Sequence, residues 1–172
     1  VIKSIKYSNL SPADADELQQ CIHAAFGHVP FVQNHTWAQP DWTFIKYENG
    51  RVATFYNVVL RDVSIDGKKY KVAGVNNVIT PEEFRGRGFA SEILRATEQY
   101  LFNDLGCKYG LLLCADALLP FYTRLGWYKV HPTLYYDQPT GRQLYDSNVM
   151  LLSSEEQPFI KPESIDLNGL PW

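Results

Sequence analysis

The chain is short of several things that would announce a function. It has no basic surplus: 16 Lys and Arg stand against 19 Asp and Glu, and a net charge of −3 argues against a nucleic-acid binder, which needs a cationic face. No apolar run approaches the length of a membrane span, and "YGLLLCA" is among the longest. Cys21, Cys107 and Cys114 are odd in number and lack CxxC spacing. Neither a disulfide framework nor a zinc ribbon is expected from them, and they read as buried thiols in a reducing compartment. His23, His28, His35 and His131 form no HxxxH or HExxH pattern, so no metal centre is expected. The opening "VIKSIKYSNLS" has no signal-peptide core and no initiator Met. That predicts a cytoplasmic chain, trimmed or processed at its first position. Repeats and low-complexity tracts are missing, and no linker precedes the last twenty residues. One domain over residues 1–172 is expected, with 153–172 as a C-terminal tail.

What is present is an ordinary globular composition, 45% apolar and 20% charged, in a chain long enough to bury a core. "IKSIKY" reads as a first strand. "SPADADELQQCIHAAF" places Ser11 as N-cap, Pro12 at the first helical position and Asp14 in the first turn, with Leu18, Ile22, Ala25 and Phe26 at helical spacing. "GHVPFVQNHTWAQPD" is an irregular aromatic excursion or a short helix. Asn49-Gly50 and Asp66-Gly67 mark two hairpin turns that join three strands into a meander. Ala90, Ile93, Leu94, Thr97 and Leu101 line one helical face that Gly106 ends. "YGLLLCA" is a strand buried on both faces. A short helix over "ALLPFYTRLG" follows, and "WYKVHPTLYY" and "SNVMLLS" close as late strands. The order predicts an α+β fold, with a mixed sheet flanked by helices.

Between the meander and the second long helix lies "TPEEFRGRGFASEIL". Backbone N–H groups at a helix start have no intrahelical partner, and the helix dipole adds positive charge there. Glycines let those groups approach an anion, and arginines supply charge-assisted bonds. A bare RGRG is a solvated loop as readily as a cradle; a strand before it and a helix after it favour the cradle. The spacing Arg85-Gly86-Arg87-Gly88-Phe89-Ala90 resembles the R/Q-x-x-G-x-G/A signature of the GNAT N-acetyltransferases. It is neither a Walker loop nor a Rossmann fingerprint. "VNNVITPEEFRGRGFASEILRATEQYL" is similar to that family's cofactor strand, turn and helix, and "YGLLLCADALLPFYTRLGWYKV" to its next strand and helix.

The resemblance implies a GNAT fold, with a mostly antiparallel sheet of about six to seven strands and about four helices. It implies acetyl-CoA as cofactor, with the pantetheine arm along the backbone of Val78, Ile79 and Thr80. The pyrophosphate would lie on Arg85, Gly86, Arg87, Gly88, Phe89 and Ala90, with Ser91 adding a hydroxyl. Tyr122 in "LPFYTRLGW" matches the tyrosine placed near the cofactor sulfur, where a phenol can protonate the leaving thiolate; the alternative is a core aromatic. Where many relatives carry a carboxylate on the cofactor strand, this chain has Asn76, which can orient the amine or a water but is no base. Asp116 follows the next strand where the family often has Asn or Ser. A base could be a water wire, Asp116 or the carboxylate of Trp172.

Within the family the chain resembles the aminoglycoside 2'-N-acetyltransferase branch. The shared features are "AAF", the excursion to Trp37, Arg61, "FYTRLGW" and a closing tryptophan. That resemblance places Trp172 at the acceptor pocket. The excursion is neutral, "PFVQNHTW", where relatives are acidic, and the late acidic residues Asp146, Glu155, Glu156, Glu163 and Asp166 are either a solvated tail or a rim for a cation. The expected activity is transfer of an acetyl group to a primary amine of a small molecule, with no nucleic-acid or membrane partner and a homodimer left open. Alternatives are a catalytically weak acyl-CoA-binding module and acetylation of protein amines.

Overall fold

The computed structural model describes residues 1–172. Strand β1, Ile2–Lys6, leads into helix α1, Pro12–Phe26. Ser11 caps that helix by accepting the Asp14 N–H at 3.1 Å, with Pro12 at the first helical position. A single-turn helix α2, Pro30–Gln33, sits inside the aromatic excursion. The meander follows as β2 (Trp42–Glu48), β3 (Arg51–Ile65) and β4 (Lys68–Ile79). Both turns have positive φ at both central residues, 51° and 77° at Asn49-Gly50 and 49° and 81° at Asp66-Gly67, the twist that right-handed strands demand. Helix α3, Phe89–Gln99, runs on through a widened turn at Tyr100–Asp104 and stops before Gly106 at φ 69°. Strand β5 (Tyr109–Cys114), helix α4 (Leu119–Thr123) and strands β6 (Tyr128–Val130), β7 (Thr133–Gln138), β8 (Gly141–Tyr145), β9 (Asn148–Ser153) and β10 (Ser164–Asp166) complete the chain.

All ten strands join one sheet, ordered β6-β9-β5-β4-β3-β10-β7-β8, with β1 and β2 paired beside β3. This exceeds the six to seven strands expected from the sequence, for two reasons. "WYKVHPTLYY" is not one strand: Pro132 lacks a donor and holds His131 extended, so the chain breaks there. Strand β6 then pairs with β9 on one side of the sheet, and β7 pairs with β8 and β10 on the other. Two residues cannot bridge the opposite edges of an open sheet, so the sheet curls toward closure. The second reason is the tail, whose β10 inserts between β3 and β7.

Helix α3 covers one face of the sheet, over a core that includes Phe44, Tyr56, Val58, Ile93 and Trp127. Helix α1 covers part of the other face through Leu18, Ile45, Phe55 and Ile79. The remainder of that face is covered by the return strands and tail, around Val59, Leu111, Leu134, Ile165 and Trp172. A largely apolar cavity lies where these two coverings meet.

Candidate active site

Strands β4 and β5 run parallel, but only Val72, Ala73 and Gly74 pair with Tyr109, Gly110 and Leu111. Beyond that point β4 continues to Ile79 and β5 to Cys114 without partnering each other. The strands therefore fork. On its other side β4 stays paired with β3, through a bulge at Asn77 with φ 50° that gives β4 one residue more than β3 between Ile79 and Asn76. Trp172 sits at the crotch of the fork. Its indole lies flat on Gly74, where a Cβ would come within 2.3 Å of the ring, and its Nε1–H donates to the Leu111 carbonyl at 3.1 Å. Only glycine at position 74 admits that ring.

A cavity of about 580 Å³ opens from the fork, bounded by α1, the excursion, β3, β4, β5, β7, β8 and the tail. Its walls are mostly apolar, and no Asp, Glu, Lys or Arg lines it. The excursion is tied down over it. His35 stacks on Phe31 at 3.9 Å and hydrogen-bonds the Phe31 carbonyl and the Tyr136 hydroxyl, while Thr36 and Gln138 exchange two bonds of 2.9 Å. The Ala38 N–H donates to the Pro171 carbonyl, linking excursion and tail. Arg61 holds the tail in turn, donating to the Leu167 and Leu170 carbonyls and lying over the Trp172 ring at 5.2 Å.

The arginine-glycine turn stands at the far end of β4. Gly86 and Gly88 have φ of 74° and 75°, and a Cβ on either would meet nothing within 4 Å, so the turn presents open backbone. Gly88 is the N-cap of α3 and offers no side chain, so the first N–H groups of the helix are left uncapped. The Arg85 Nε donates to the Thr80 carbonyl, which curls that side chain around the turn. Arg87 pairs with Glu48 at 3.1 Å and lies over Phe89. Phe89 itself is buried with Phe84 and Ala53 and anchors the helix start, while Ala90 and Ser91 remain partly accessible.

Tyr122, Asn76 and Val78 are brought together on the cavity wall, with Trp172 at its base. The Tyr122 phenol, buried and next to Cys114, is pushed above the ordinary tyrosine range, chiefly by loss of hydration. It therefore stays protonated at neutral pH. The Ile79 carbonyl accepts from the Thr54 hydroxyl, and the Thr80 hydroxyl bonds the same residue. Asp116 is not part of this wall. Its Oδ1 accepts from Asn148 Nδ2 at 2.7 Å, and it lines a separate, polar cavity with His131 and Asp146. Cys107 and Cys114 are buried as expected, but Cys21 is half-exposed on α1.

Asn57 is the residue that sequence reasoning missed. It stands directly opposite Asn76 in the β3–β4 register, is 1% exposed and lines the cavity. The signal was available: a carboxamide in the middle of the apolar run "TFYNVVL" is a buried polar group that needs a reason.

A model of the acetyltransferase (GNAT) domain matches residues 6–130, and the chain belongs to that family. It is an acetyltransferase of the GNAT type. Solved structures share the fold at low identity. Escherichia coli ElaA is 17% identical, with 89% of this chain and 99% of that one covered at a TM-score of 0.61. A GNAT family acetyltransferase from Brucella melitensis, solved in complex with acetyl-CoA, is 17% identical over 96% and 94% of the two chains at 0.59. The ribosomal-protein-S18-alanine N-acetyltransferase of Escherichia coli is 18% identical over 92% and 100% at 0.58. No curated protein sequence matches the chain at a significant level.

Proposed function

We propose that the protein is an acetyl-CoA-dependent N-acetyltransferase that modifies a primary amine of a small molecule. The observation that carries the reading is the β4–β5 fork, which joins the uncapped arginine-glycine turn at one end to a mostly apolar cavity bearing Tyr122. The residues fit the cofactor. The open αL glycines and the first N–H groups of α3 suit a pyrophosphate, Arg85 and Arg87 supply charge, and the free side of β4 at Val78, Ile79 and Thr80 suits an extended amide-bearing arm. Ser91, in the first turn of α3, would add its hydroxyl to the same anion. Bound acetyl-CoA supplies an activated thioester, whose acyl carbon takes the amine in exchange for the sulfur, one proton leaving the nitrogen and one joining the sulfur.

The chain's own part follows from the site. Tyr122 holds a proton at its Oη in a poorly hydrated place, ready for a leaving thiolate. Asn76 orients the amine. The mostly apolar wall lowers the basicity of an entering ammonium, which favours the neutral nucleophile without a strong base. Trp172 closes the acceptor side and keeps the fork open. A cytoplasmic setting, with Cys107 and Cys114 kept as thiols, belongs to the same reading.

The excursion latched over the cavity by the His35 and Ala38 contacts narrows the acceptor side and favours a small acceptor over a protein chain end. An aminoglycoside remains a candidate through the branch resemblance at Trp37, Arg61 and Trp172. Thiol release from acetyl-CoA across a panel of amines, run beside acetyl-CoA calorimetry, tests the proposal. Tight acetyl-CoA binding with turnover of at least one small amine is expected. Binding without turnover of any amine would instead make the chain an acyl-CoA-binding module.

A further inference from the structure

We infer that the acceptor is a single amine carried on an uncharged aromatic body, and that Asn57 and Asn76 together form its amine-binding head; this rests on the transferase reading above. Asn57 is 1% exposed, and neither its Oδ1 nor its Nδ2 has a hydrogen-bond partner. Across the strand pair, the Asn76 Oδ1 is buried and unpartnered as well. Buried polar atoms without partners are costly, so the whole Asn57 carboxamide and the Asn76 Oδ1, at paired positions on one cavity wall, indicate a ligand that completes them. Two carbonyl oxygens accept from the N–H bonds of one amine, and the Asn57 Nδ2 can donate to a lone pair or to the acyl oxygen.

The rest of the cavity decides what the amine is attached to. A polyamine or aminoglycoside would bring several further ammonium groups into a space lined by no Asp or Glu side chain, where they would lose their hydration without side-chain carboxylates to pair with. Phe26, Phe31, Trp37, Tyr136 and Trp172 instead offer ring faces and edges to a flat apolar body. A volume of about 580 Å³ holds an arylalkylamine beside the reacting end of the cofactor.

The test uses 2-phenylethylamine, spermidine and kanamycin as acceptors, with thiol release and saturating acetyl-CoA. The expected kcat/KM for 2-phenylethylamine exceeds the other two by at least about tenfold. Asn57→Leu should raise its KM at least about tenfold, leave the acetyl-CoA KM within about twofold, and raise Tm by a few degrees, because two buried unpartnered atoms disappear. Asn57→Asp, which adds a carboxylate of the same shape, should turn the preference toward spermidine. A wild-type preference for spermidine or kanamycin, or an unchanged amine KM in Asn57→Leu, overturns the inference. If no amine is turned over, calorimetry of 2-phenylethylamine into the coenzyme A-loaded protein separates the two claims. Binding that Asn57→Leu abolishes keeps the acceptor assignment while the transferase reading falls; no binding to wild type removes the acceptor assignment itself.

Discussion

The two ends of the fork are built by opposite means. The arginine-glycine turn is continuous in sequence, exposed and polar, and a Cβ on Gly86 or Gly88 would touch nothing. The cavity proposed for the acceptor draws its wall from α1, the excursion, strands β3, β4, β5, β7 and β8 and the last residues of the tail, and no Asp, Glu, Lys or Arg lines it. The turn owes its shape to local backbone chemistry. The cavity owes its shape to tertiary packing, and Trp172 is where the two depend on each other.

The largest effect should come from removing that dependence. Trp172→Ala empties the space over Gly74 and leaves the Leu111 carbonyl without its donor. A loss of about 3–5 kcal/mol is expected, read as a fall in Tm of roughly 10 °C. Acetyl-CoA binding should weaken with it if the indole holds the fork open. An unchanged Tm would separate the tail from the fork and dissolve the comparison. Arg61→Met, which keeps bulk but removes the bonds to the Leu167 and Leu170 carbonyls, should reproduce a smaller part of the same loss, about 1–3 kcal/mol in urea denaturation.

At the turn, Gly88→Val forces a β-branched residue to φ 75° at the backbone proposed to hold the pyrophosphate. Acetyl-CoA affinity should fall by about 2 kcal/mol or more, roughly thirtyfold in Kd, in a protein that remains folded. Calorimetry checks it, and the amine KM should barely move. The smallest change should be Glu48→Gln. It removes an exposed partner of Arg87 and should alter stability by less than about 1 kcal/mol, because surface ion pairs contribute little. It should leave acetyl-CoA binding unchanged or slightly stronger, since Arg87 is then released toward the turn.

The same contrast explains what was legible in the sequence. Ser11, Pro12, Asn49-Gly50, Asp66-Gly67 and Arg85 through Ala90 act through neighbours a few residues away, so composition and spacing revealed them. Asn57 meets Asn76 only in the fold, through a strand register fixed across a hairpin and a bulge. Strand β10 has three residues and exists because β3 and β7 leave room between them, which no local pattern in "ESIDLNG" records. Pro132 is a visible breaker, yet that the chain then crosses to the other side of the sheet follows from the curl of the whole sheet. Asp116 was placed near the acceptor by its position after β5. The structure turns it to Asn148 instead, because the 3-10 turn at Asp116–Leu118 points it away from the cavity wall.

Tyr122 links the cavity to the core beside it, since its ring packs in the α3-side core while it also lines the cavity. Its raised pKa fixes the sign of the pH dependence. The phenol remains a proton donor through the range where a free tyrosine ionises, so the alkaline limb of kcat that it sets should not fall until well above pH ~10. The most direct test of the account is the kcat of Tyr122→Phe, measured by thiol release with both substrates varied. The account predicts a fall of about 10²–10⁴-fold with both KM values within roughly twofold of wild type. A loss of less than about threefold would show that Tyr122 is a packing residue and that the fork carries no acid at this position.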